Sequence, residues 1–343
     1  MIDPSGTLMF AEAGEAAAAV ATQRSANRAT LAAIAARLRA AAPRLVVTCA
    51  RGSSDHAATF AKYLIETRTG IPTASAAPSV ASVYQAQPYA ENTLWLAISQ
   101  SGRSPDLVAS LEAAKAGGAI TIALVNAPDS PLAAIADFAL PLHAGLERSV
   151  PATKSFIASL AALAALVAAW SEDEALDRAL AELPALLGRA WACDWSALVD
   201  RLRPARGLYV VGRGLGLGVA QEAALKLKET CGLHAEAFSA AELRHGPMAL
   251  VGPDLPLLVF RQSDQTEASI DEAVEAARMR GADVLVAGGE ANGAAPLPSL
   301  RNHPAIEPML QIQSFYRAAV RLSILRGFDP DRPPHLAKVT ETL

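Results

Sequence analysis

The sequence predicts an α/β fold built from two tandem domains, each a parallel sheet flanked by helices. Short apolar strands alternate with helical segments along the chain, which is the pattern of βαβ units joined by right-handed crossovers. The order of these elements then recurs about 162 residues later. With 343 residues, 52% of them hydrophobic and 19% charged, the chain is large and apolar enough for two buried cores.

The first copy follows a helical lead. From about Phe10 to Ala42 the chain is rich in alanine and interrupted by charges, which predicts one or two amphipathic helices. Leu45–Thr48 is a buried strand, Ala50–Asp55 a hydroxyl-bearing turn, and a helix follows over roughly His56–Thr67. These segments form the first strand, turn and helix of the predicted sheet.

A second strand, turn and helix come next. The apolar run Leu94–Ile98 is too short for a helix, and the hydroxyl-rich turn Ser99–Ser104 leads to Pro105, where a helix begins that runs to Lys115. Three further elements complete this copy: strands over Ala119–Val125 and 136–143, and a long buried helix over Thr153–Trp170.

The turn after Leu94–Ile98 is a predicted anion site. Unpaired backbone N–H groups and the helix macrodipole favour negative charge at a helix start. Ser99, Ser101 and Ser104 add neutral donors, and Gly102 permits close approach of the backbone. A phosphate group fits this description. The alternative is that Ser104 is only the N-cap of a helix whose first residue is proline.

The second copy differs from the first at this turn. Leu208 to Thr230 resembles Leu45 to Thr67, and Ala282 to Ala287 resembles the strand beginning at Ala119. The segment Arg261–Asp264 matches Ser99–Gly102 but lacks its first serine and its glycine, and Asp264 would repel a dianion. We therefore expect that only the first copy holds phosphate.

The domain boundaries follow from the repeat. A connector rich in helix-forming acidic residues separates the two copies, and we expect Trp191 and Trp195 to pack it onto a domain. The predicted organisation is a helical lead over residues 1–42, a first domain over 43–171, the connector over 172–205 and a second domain over 206–343.

The second copy carries a cluster of ionisable residues. Lys226 and Glu229 lie three apart on one predicted helix, hence on one face, and His245 follows before Gly-Pro. Beside a phosphate site, a carboxylate, a lysine and a histidine suit proton transfer on a sugar phosphate. The alternatives are an ordinary Glu222–Lys226 salt bridge on a solvated helix face and a histidine that only ends a helix.

Composition argues against several other functions. The formal net charge is −4 and no basic block occurs, which disfavours nucleic acid or an anionic membrane as a partner. The three scattered cysteines, Cys49, Cys193 and Cys231, form no metal-ligand pattern and suggest buried thiols in a reducing compartment. We expect no cleavable leader, and we expect the apolar run Phe156–Trp170 to be too short for a bilayer. We expect a cytoplasmic protein without a metal.

Five motifs stand out along the chain: Ser99-Gln-Ser-Gly102, Ala224-Leu-Lys-Leu-Lys-Glu229, His234-Ala-Glu-Ala237, Glu242-Leu-Arg-His-Gly-Pro247 and Leu336-Ala-Lys338. The second and the fourth motif, in this order, are a highly specific pair. Through these motifs the chain, from about residue 45 onward, resembles the sugar-isomerase (SIS) family, and in it the isomerase half of glucosamine-6-phosphate synthase.

The resemblance implies roles for individual residues. Glu229 would move a proton between C1 and C2 of the sugar, and His245 would open the sugar ring, reaching in from the other subunit of a homodimer that shares the active site. Lys226 and Lys338 would line the site. The residues implied in binding the phosphosugar substrate are Ser53, Ser54, Ser99, Gln100, Ser101 and Ser104. The resemblance also implies the flavodoxin-like SIS topology, and the chemistry needs no cofactor because a proton next to a carbonyl is acidic enough for a carboxylate base.

Departures from the synthase pattern favour a different reaction. Because every cysteine is internal and the sequence opens on a short helical lead, we expect no glutaminase domain ahead of this half and no glutamine hydrolysis. Arg103-Ser104 replaces the usual Glu-Thr, and Pro151-Ala152 stands where the synthase has Ala-Ser, changes that resemble stand-alone deaminases. The sequence therefore predicts a deaminase that converts glucosamine 6-phosphate to fructose 6-phosphate and ammonia. Its alternatives are an aldose–ketose isomerase or ammonia-dependent synthase-like enzyme, and a non-catalytic sugar-phosphate sensor.

Overall fold

The computed structural model describes residues 3–289 and 293–338. These residues fall into two compact units. The first-sheet unit comprises residues 18–147, 158–181 and 337–338, and the second-sheet unit comprises residues 3–17, 148–157, 182–289 and 293–336.

The first-sheet unit contains a five-stranded sheet in the order β2-β1-β3-β4-β5, with every neighbouring pair parallel. All seven residues of β3 are buried, as expected for a parallel strand whose two faces are both covered by helices. The strands are β1 (Leu45–Cys49), β2 (Thr73–Ser75), β3 (Thr93–Ser99), β4 (Ile120–Val125) and β5 (Phe138–Pro141).

The second-sheet unit repeats this arrangement. Its sheet has the order β7-β6-β8-β9-β10, again parallel throughout, so both copies place their five strands in the same order, 2-1-3-4-5. This is the flavodoxin-like order, and it confirms the predicted fold class and the duplication. The strands are β6 (Gly207–Gly212), β7 (His234–Ser239), β8 (Leu257–Phe260), β9 (Val284–Ala287) and β10 (Ala295–Leu297).

Helices lie before, between and after the strands. Short 3-10 helices cover Pro4–Gly6, Glu242–Arg244 and Pro247–Leu250. The α-helices are α1 (Leu8–Gly14), α2 (Ala16–Ala26), α3 (Arg28–Ala41), α4 (Ser53–Thr69), α5 (Ser79–Ser82), α6 (Pro105–Ala116), α7 (Pro131–Ile135), α8 (Lys154–Ser171), α9 (Glu174–Trp191), α10 (Ser196–Leu202), α11 (Gly216–Cys231), α12 (Glu267–Arg278) and α13 (Glu307–Leu325).

The helical lead is more broken than expected. Instead of one or two helices it forms three, α1 to α3, and α2 is separated from α3 by the single residue Asn27. The Asn27 backbone leaves helical geometry at φ −90° and ψ 1°, and its side-chain amide donates to the carbonyl of Pro141 at 2.7 Å. This tertiary hydrogen bond could not be read from the local sequence.

The connector packs as predicted. The Trp195 side chain is buried and its indole N–H donates to the Pro298 carbonyl at 2.8 Å. The Trp191 ring meets the Phe10 ring edge-on with centroids 4.8 Å apart. Both tryptophans therefore fasten their part of the connector to the second-sheet unit.

Two of the three cysteines match the expectation of buried thiols. Cys49 and Cys231 are fully buried, and burial raises the pKa of their thiols to about 11 and about 12, so both remain protonated at neutral pH. Cys193 is only half-buried, which corrects the expectation for that residue. It lies on the loop between α9 and α10, where the chain leaves regular structure.

Helix α8 is the one helix of the described ranges that has the length and hydropathy of a membrane span. It has 18 residues with a mean hydropathy of 1.6. The helix is therefore longer than the predicted apolar run Phe156–Trp170, and its length alone does not exclude a membrane span. Of the same window, 83% is buried by other parts of the protein. A buried core helix shows the same composition, so α8 by itself does not indicate a membrane.

Candidate functional site

The predicted anion turn lies at the topological switch point of the first sheet. Strands β1 and β3 are neighbours, with Cys49 opposite Ala97, and connections leave them in opposite directions along the sheet. The turns that follow the carboxyl ends of these two strands therefore meet at one edge. Ligands of open α/β sheets bind at this position.

The hydroxyls of the β3 turn hold its backbone in shape. The Ser99 hydroxyl oxygen accepts the Gly102 N–H at 3.0 Å, and the Ser101 hydroxyl oxygen accepts the Arg103 N–H at 3.4 Å. Because each hydroxyl acts as an acceptor here, its own proton remains to be donated. The Gln100 carbonyl accepts the Asn126 N–H at 3.1 Å, which ties the turn to the end of β4.

Ser104 takes the N-cap position of α6 without forming a capping bond. Its backbone is extended and Pro105 is the first helical residue, as predicted, but the Ser104 side chain accepts no hydrogen bond from the helix. The alternative in which Ser104 serves only as a cap loses its main energetic basis, because the cap's contribution comes from that bond. The hydroxyl is left for another partner.

The remaining predicted binding residues follow β1. Ser53 is the first residue of α4 and Ser54 the second, and both are half-buried. The Ser54 N–H donates to the Arg51 carbonyl at 3.1 Å, and Gly52 precedes them in the left-handed region at φ +54°. The structure thus brings Ser53 and Ser54 to the same sheet edge as the β3 turn.

Gly102 is required by both its backbone and its surroundings. Its φ is +62°, and a Cβ at this position would lie 2.1 Å from the Ser130 hydroxyl oxygen and 2.6 Å from the Ser130 Cβ. Ser130 is fully buried at the start of α7 and cannot move aside easily. The sequence argument expected close approach of a ligand here, but the structure shows that the close neighbour is the protein itself.

We expect Gly102→Ala to distort the turn and to weaken phosphate binding strongly. The left-handed backbone costs about 1–2 kcal/mol for a residue with a Cβ, and the clash with Ser130 adds to it. Isothermal titration with inorganic phosphate and thermal unfolding measure the two effects.

Gly145→Ala is the matched control for this variant. Gly145 also has a positive φ of +68°, but a Cβ there would meet nothing within 4 Å. Restoration of binding in Gly102→Ala/Ser130→Gly would assign the loss to the clash. Unchanged phosphate affinity in Gly102→Ala would show that the turn shape does not matter for the anion.

Lys338 belongs to the first-sheet unit. Its Nζ lies 3.1 Å from Glu147 Oε2, and the Glu147 side chain is completely buried. The lysine is only partly exposed and faces a carboxylate that holds it in place. The sequence motif Leu336-Ala-Lys338 identified this lysine but gave no sign of its partner, because Glu147 is 191 positions away.

The second-sheet unit contains a buried chain of three charges on α11. Lys226 Nζ lies 2.5 Å from Glu229 Oε2 and 3.4 Å from Glu222 Oε1. The exposed fractions of the side chains are 1% for Lys226, 0% for Glu222 and 17% for Glu229. Tyr316 on α13 also donates its hydroxyl to Glu222 at 3.3 Å.

This burial rules out the solvated helix face as the explanation of the Glu222–Lys226 pair. Burial alone would lower the pKa of the Lys226 ammonium, but the charges of Glu222 and Glu229 outweigh it and raise this pKa. Lys226 therefore stays charged. Glu229 is the one carboxylate of the three residues that reaches solvent, so it is the group that a ligand could contact.

His245 is not joined to this charge chain. It follows the 3-10 helix Glu242–Arg244 and its side chain is exposed. In the described part of the chain, no hydrogen bond or ion pair connects His245 to Lys226 or Glu229. His245 lies at a helix end as expected, but the helix is a single 3-10 turn.

The corresponding turn of the second sheet is filled by the protein's own side chains. Ser263 donates its N–H and its hydroxyl to the Glu307 carboxylate, both at 2.6 Å, and Glu307 is buried at the start of α13. The buried amide of Gln262 donates to the Arg213 carbonyl at 2.7 Å, where the β6 turn begins. Here a carboxylate takes the donors that an anionic ligand would need.

The occupied turn of the second sheet supports the expectation that only the first copy holds phosphate. The reason differs from the expected repulsion by Asp264. Asp264 bonds to Thr266 within its own loop, accepting the Thr266 backbone N–H at 2.8 Å. The anion that competes most directly is Glu307, which lies 44 positions beyond Ser263 in sequence. Sequence comparison of the two copies could find the changed turn but not this carboxylate.

The predicted site residues therefore divide between the two units. The second-sheet unit holds Lys226, Glu229 and His245, and the first-sheet unit holds Ser53, Ser54, Ser99, Gln100, Ser101, Ser104 and Lys338. Fold and site together define a flavodoxin-like α/β protein in which one switch point is a cradle of neutral donors and the other is closed by its own carboxylate.

The chain belongs to the SIS domain family, whose profile matches residues 40–169 and 201–296. It is 34% identical over 311 residues to the glutamine–fructose-6-phosphate aminotransferase (isomerizing) of Zymomonas mobilis subsp. mobilis, covering 85% of this chain and 51% of that protein. The chain thus spans about half the length of the curated relatives it matches.

Two solved structures share the fold over nearly the whole chain. One, from Silicibacter pomeroyi DSS-3, is described as a candidate phosphosugar isomerase and is 42% identical with a TM-score of 0.90, covering 95% of this chain and all of that one. The other is the C-terminal domain of glucosamine-fructose-6-phosphate aminotransferase from Francisella tularensis, with a TM-score of 0.84, covering 96% of this chain and 98% of that one. At 24% identity the second likeness shows the fold alone.

Proposed function

We propose that this chain is a phosphosugar isomerase of the SIS family that acts on C1 and C2 of its substrate. The observation that carries the proposal is the buried Glu222-Lys226-Glu229 chain, in which one carboxylate, Glu229, reaches solvent. A partly exposed carboxylate fixed in position by a buried lysine is suited to remove a proton next to a carbonyl. The name of the relative from Silicibacter pomeroyi agrees with this class.

The substrate's phosphate is assigned to the first-sheet cradle, which consists of the turn after β1 (Ala50–Asp55) and the turn after β3 (Ser99–Ser104). Ser99 and Ser101 keep their hydroxyl protons for donation, Ser104 makes no capping bond, and the start of α6 adds backbone dipoles. Ser53, Ser54 and Gln100 lie on the two turns at the same edge. Holding the phosphate restricts the position of C1 and C2, and such positioning can lower a barrier by about 7 kcal/mol in favourable cases.

The finer proposal is deamination of glucosamine 6-phosphate. His245 transfers the ring proton and opens the sugar to its aldehyde, and its exposed ring agrees with a role in the neighbouring subunit of a homodimer. Glu229 removes the C2 proton, giving an enolamine, and returns the proton at C1, giving the C2 imine. Water then adds to the imine, and fructose 6-phosphate and ammonia leave. Lys226 and Lys338 offset charge that develops on oxygen.

The departures at Arg103, Pro151 and Ala152 favour deamination over the synthase reaction. A plain aldose–ketose isomerase would use the same residues, and the name of the 42% identical relative favours that second candidate. A non-catalytic sensor would have no use for a buried lysine between two carboxylates. The product distinguishes all three.

The test is incubation of pure protein with glucosamine 6-phosphate, with ammonia and fructose 6-phosphate measured separately. We expect equal amounts of the two products. Turnover of hexose phosphates without ammonia would replace the deaminase by the isomerase. Tight phosphosugar binding with no turnover of amino-sugar or hexose phosphates would favour the sensor. A parallel incubation with a fructosamine phosphate, again with ammonia measured, shows whether this competing amine is the substrate instead of glucosamine 6-phosphate.

A further inference from the structure

The turn after β1 carries an arginine that is tied to the β3 turn's helix. Arg51 donates from Nε and from Nη2 to the same oxygen, Asp106 Oδ2, at 3.0 and 2.9 Å. Asp106 is in the first turn of α6, two residues after Ser104. The ion pair therefore joins the two turns that form the cradle. Sequence reasoning overlooked both residues.

The carboxylate of this pair is rigidly placed. Asp106 is completely buried, and its other oxygen, Oδ1, accepts the Leu107 N–H at 2.8 Å. The positive end of the α6 dipole also favours a carboxylate in the first turn. With both oxygens engaged, Asp106 fixes where the Arg51 guanidinium lies.

The guanidinium is left with one open nitrogen. Half of the Arg51 side chain is exposed, and among the described residues Nη1 has no hydrogen-bond partner. The fork geometry of arginine suits phosphate oxygens, and here the two nitrogens that face Asp106 orient the third. The group is thus held in place before any ligand arrives.

Comparison with the second copy shows which residue of the Arg51–Asp106 pair occurs only in the first copy. The same dipeptide, Arg213-Gly214, opens its turn after β6, and Gly214 has φ +58° where Gly52 has +54°. The position that corresponds to Asp106 is Ala268. The buried carboxylate therefore occurs only in the copy whose turn keeps its serines.

We propose that Arg51 is the cationic ligand of the substrate phosphate, oriented for this task by the buried carboxylate of Asp106. The other donors proposed for the cradle are hydroxyls, the Gln100 amide and backbone groups, which carry no formal charge. A phosphate dianion bound there gains a charge-assisted hydrogen bond from Nη1. The phosphosugar as ligand rests on the proposed function, but the anion site itself does not.

Arg51→Met tests the inference with inorganic phosphate and with glucosamine 6-phosphate as probes. A hydrogen bond to a charged group contributes about 1.5–3 kcal/mol, which corresponds to about 10- to 100-fold in Kd for each probe. Arg51→Lys should recover part of this loss, since it keeps the charge without the fork. Asp106→Asn should weaken phosphate binding less than Arg51→Met, because the guanidinium remains but is less well oriented.

Arg103→Met is the matched control, because it removes the same charge from the neighbouring turn. Arg103 is 55% exposed and its nearest carboxylate, Asp129, is 3.9 Å away. We expect a change in phosphate Kd of less than about threefold. Thermal unfolding with and without phosphate separates ligand binding from a structural role: the phosphate-induced rise in Tm should shrink in Arg51→Met and persist in Arg103→Met.

The outcomes separate this inference from the proposed function. If wild-type protein turns over glucosamine 6-phosphate while Arg51→Met and Arg51→Lys bind inorganic phosphate as tightly as wild type, the inference is wrong and the function stands. If phosphate binding depends on Arg51 but no amino-sugar phosphate is turned over, the anion site stands and the deaminase does not. An Arg51→Met protein too unstable to study leaves the decision to Arg51→Lys.

Discussion

Glu229→Gln is expected to lower kcat for ammonia release from glucosamine 6-phosphate by about 10³-fold or more. General acid–base catalysis by a positioned side chain contributes about 10²–10⁴-fold, and the amide cannot take up the C2 proton. Phosphosugar affinity should change less than about threefold, because the proposed phosphate contacts belong to other residues. Steady-state kinetics and isothermal titration give the two numbers.

Two observations would decide against this role for Glu229. Near-normal ammonia release in the variant would exclude it as the base. A parallel loss in Glu275→Gln would point to a general effect of removing a carboxylate. Glu275 is an exposed residue of α12 that pairs with Arg278 at 3.0 Å on the surface, so it is expected to be silent.

Lys226→Met is expected to destabilise the fold by about 3–5 kcal/mol, apart from any loss of activity. Removing one partner of a buried ion pair leaves an uncompensated charge, and here it leaves two carboxylates, Glu222 and Glu229. Denaturant unfolding with a constant m-value measures the loss.

Lys228→Met is the control within the same helix. Lys228 is exposed two positions further along α11, and its replacement should change stability by less than about 0.5 kcal/mol. In the Lys226→Met background, Glu222→Gln should restore part of the stability because it removes the orphaned buried charge. A Lys226→Met protein as stable as wild type would mean that the three groups do not form a charged network.

The contrast between Lys226 and Lys228 shows where prediction from spacing ends. Both lysines lie on one helix in the same motif, and spacing alone allowed Glu222 and Lys226 to be a solvated surface pair. The structure buries Lys226 completely because α11 packs against β6, β7 and α13, and the last of these brings Tyr316 to Glu222. The burial depends in part on α13, whose Tyr316 is 94 positions from Glu222, so local periodicity could not decide it.

The turn after β3 also shows what sequence patterns can predict and what they cannot. Alternation of strand and helix, with Pro105 as first helical residue, was enough to predict where β3 ends and α6 begins. It was not enough to find Arg51 and Asp106, since their contact joins two turns 55 positions apart. Nor could it show that Ser130 fills the space beside Gly102.

The amino-acid sequence by itself determined the α/β class, the duplication and the hydroxyl-rich turns after β1 and β3. The class and the turns follow from hydrophobic period and turn chemistry, which act over a few residues, and the duplication follows from the recurrence of the same elements. The flavodoxin-like strand order was implied by the resemblance to the SIS family and is shown by the structure. Only the tertiary structure decided which charges are buried, which donors remain open and which turn is closed by Glu307. Those properties arise when distant segments exclude water from the same place, and no local pattern records that exclusion.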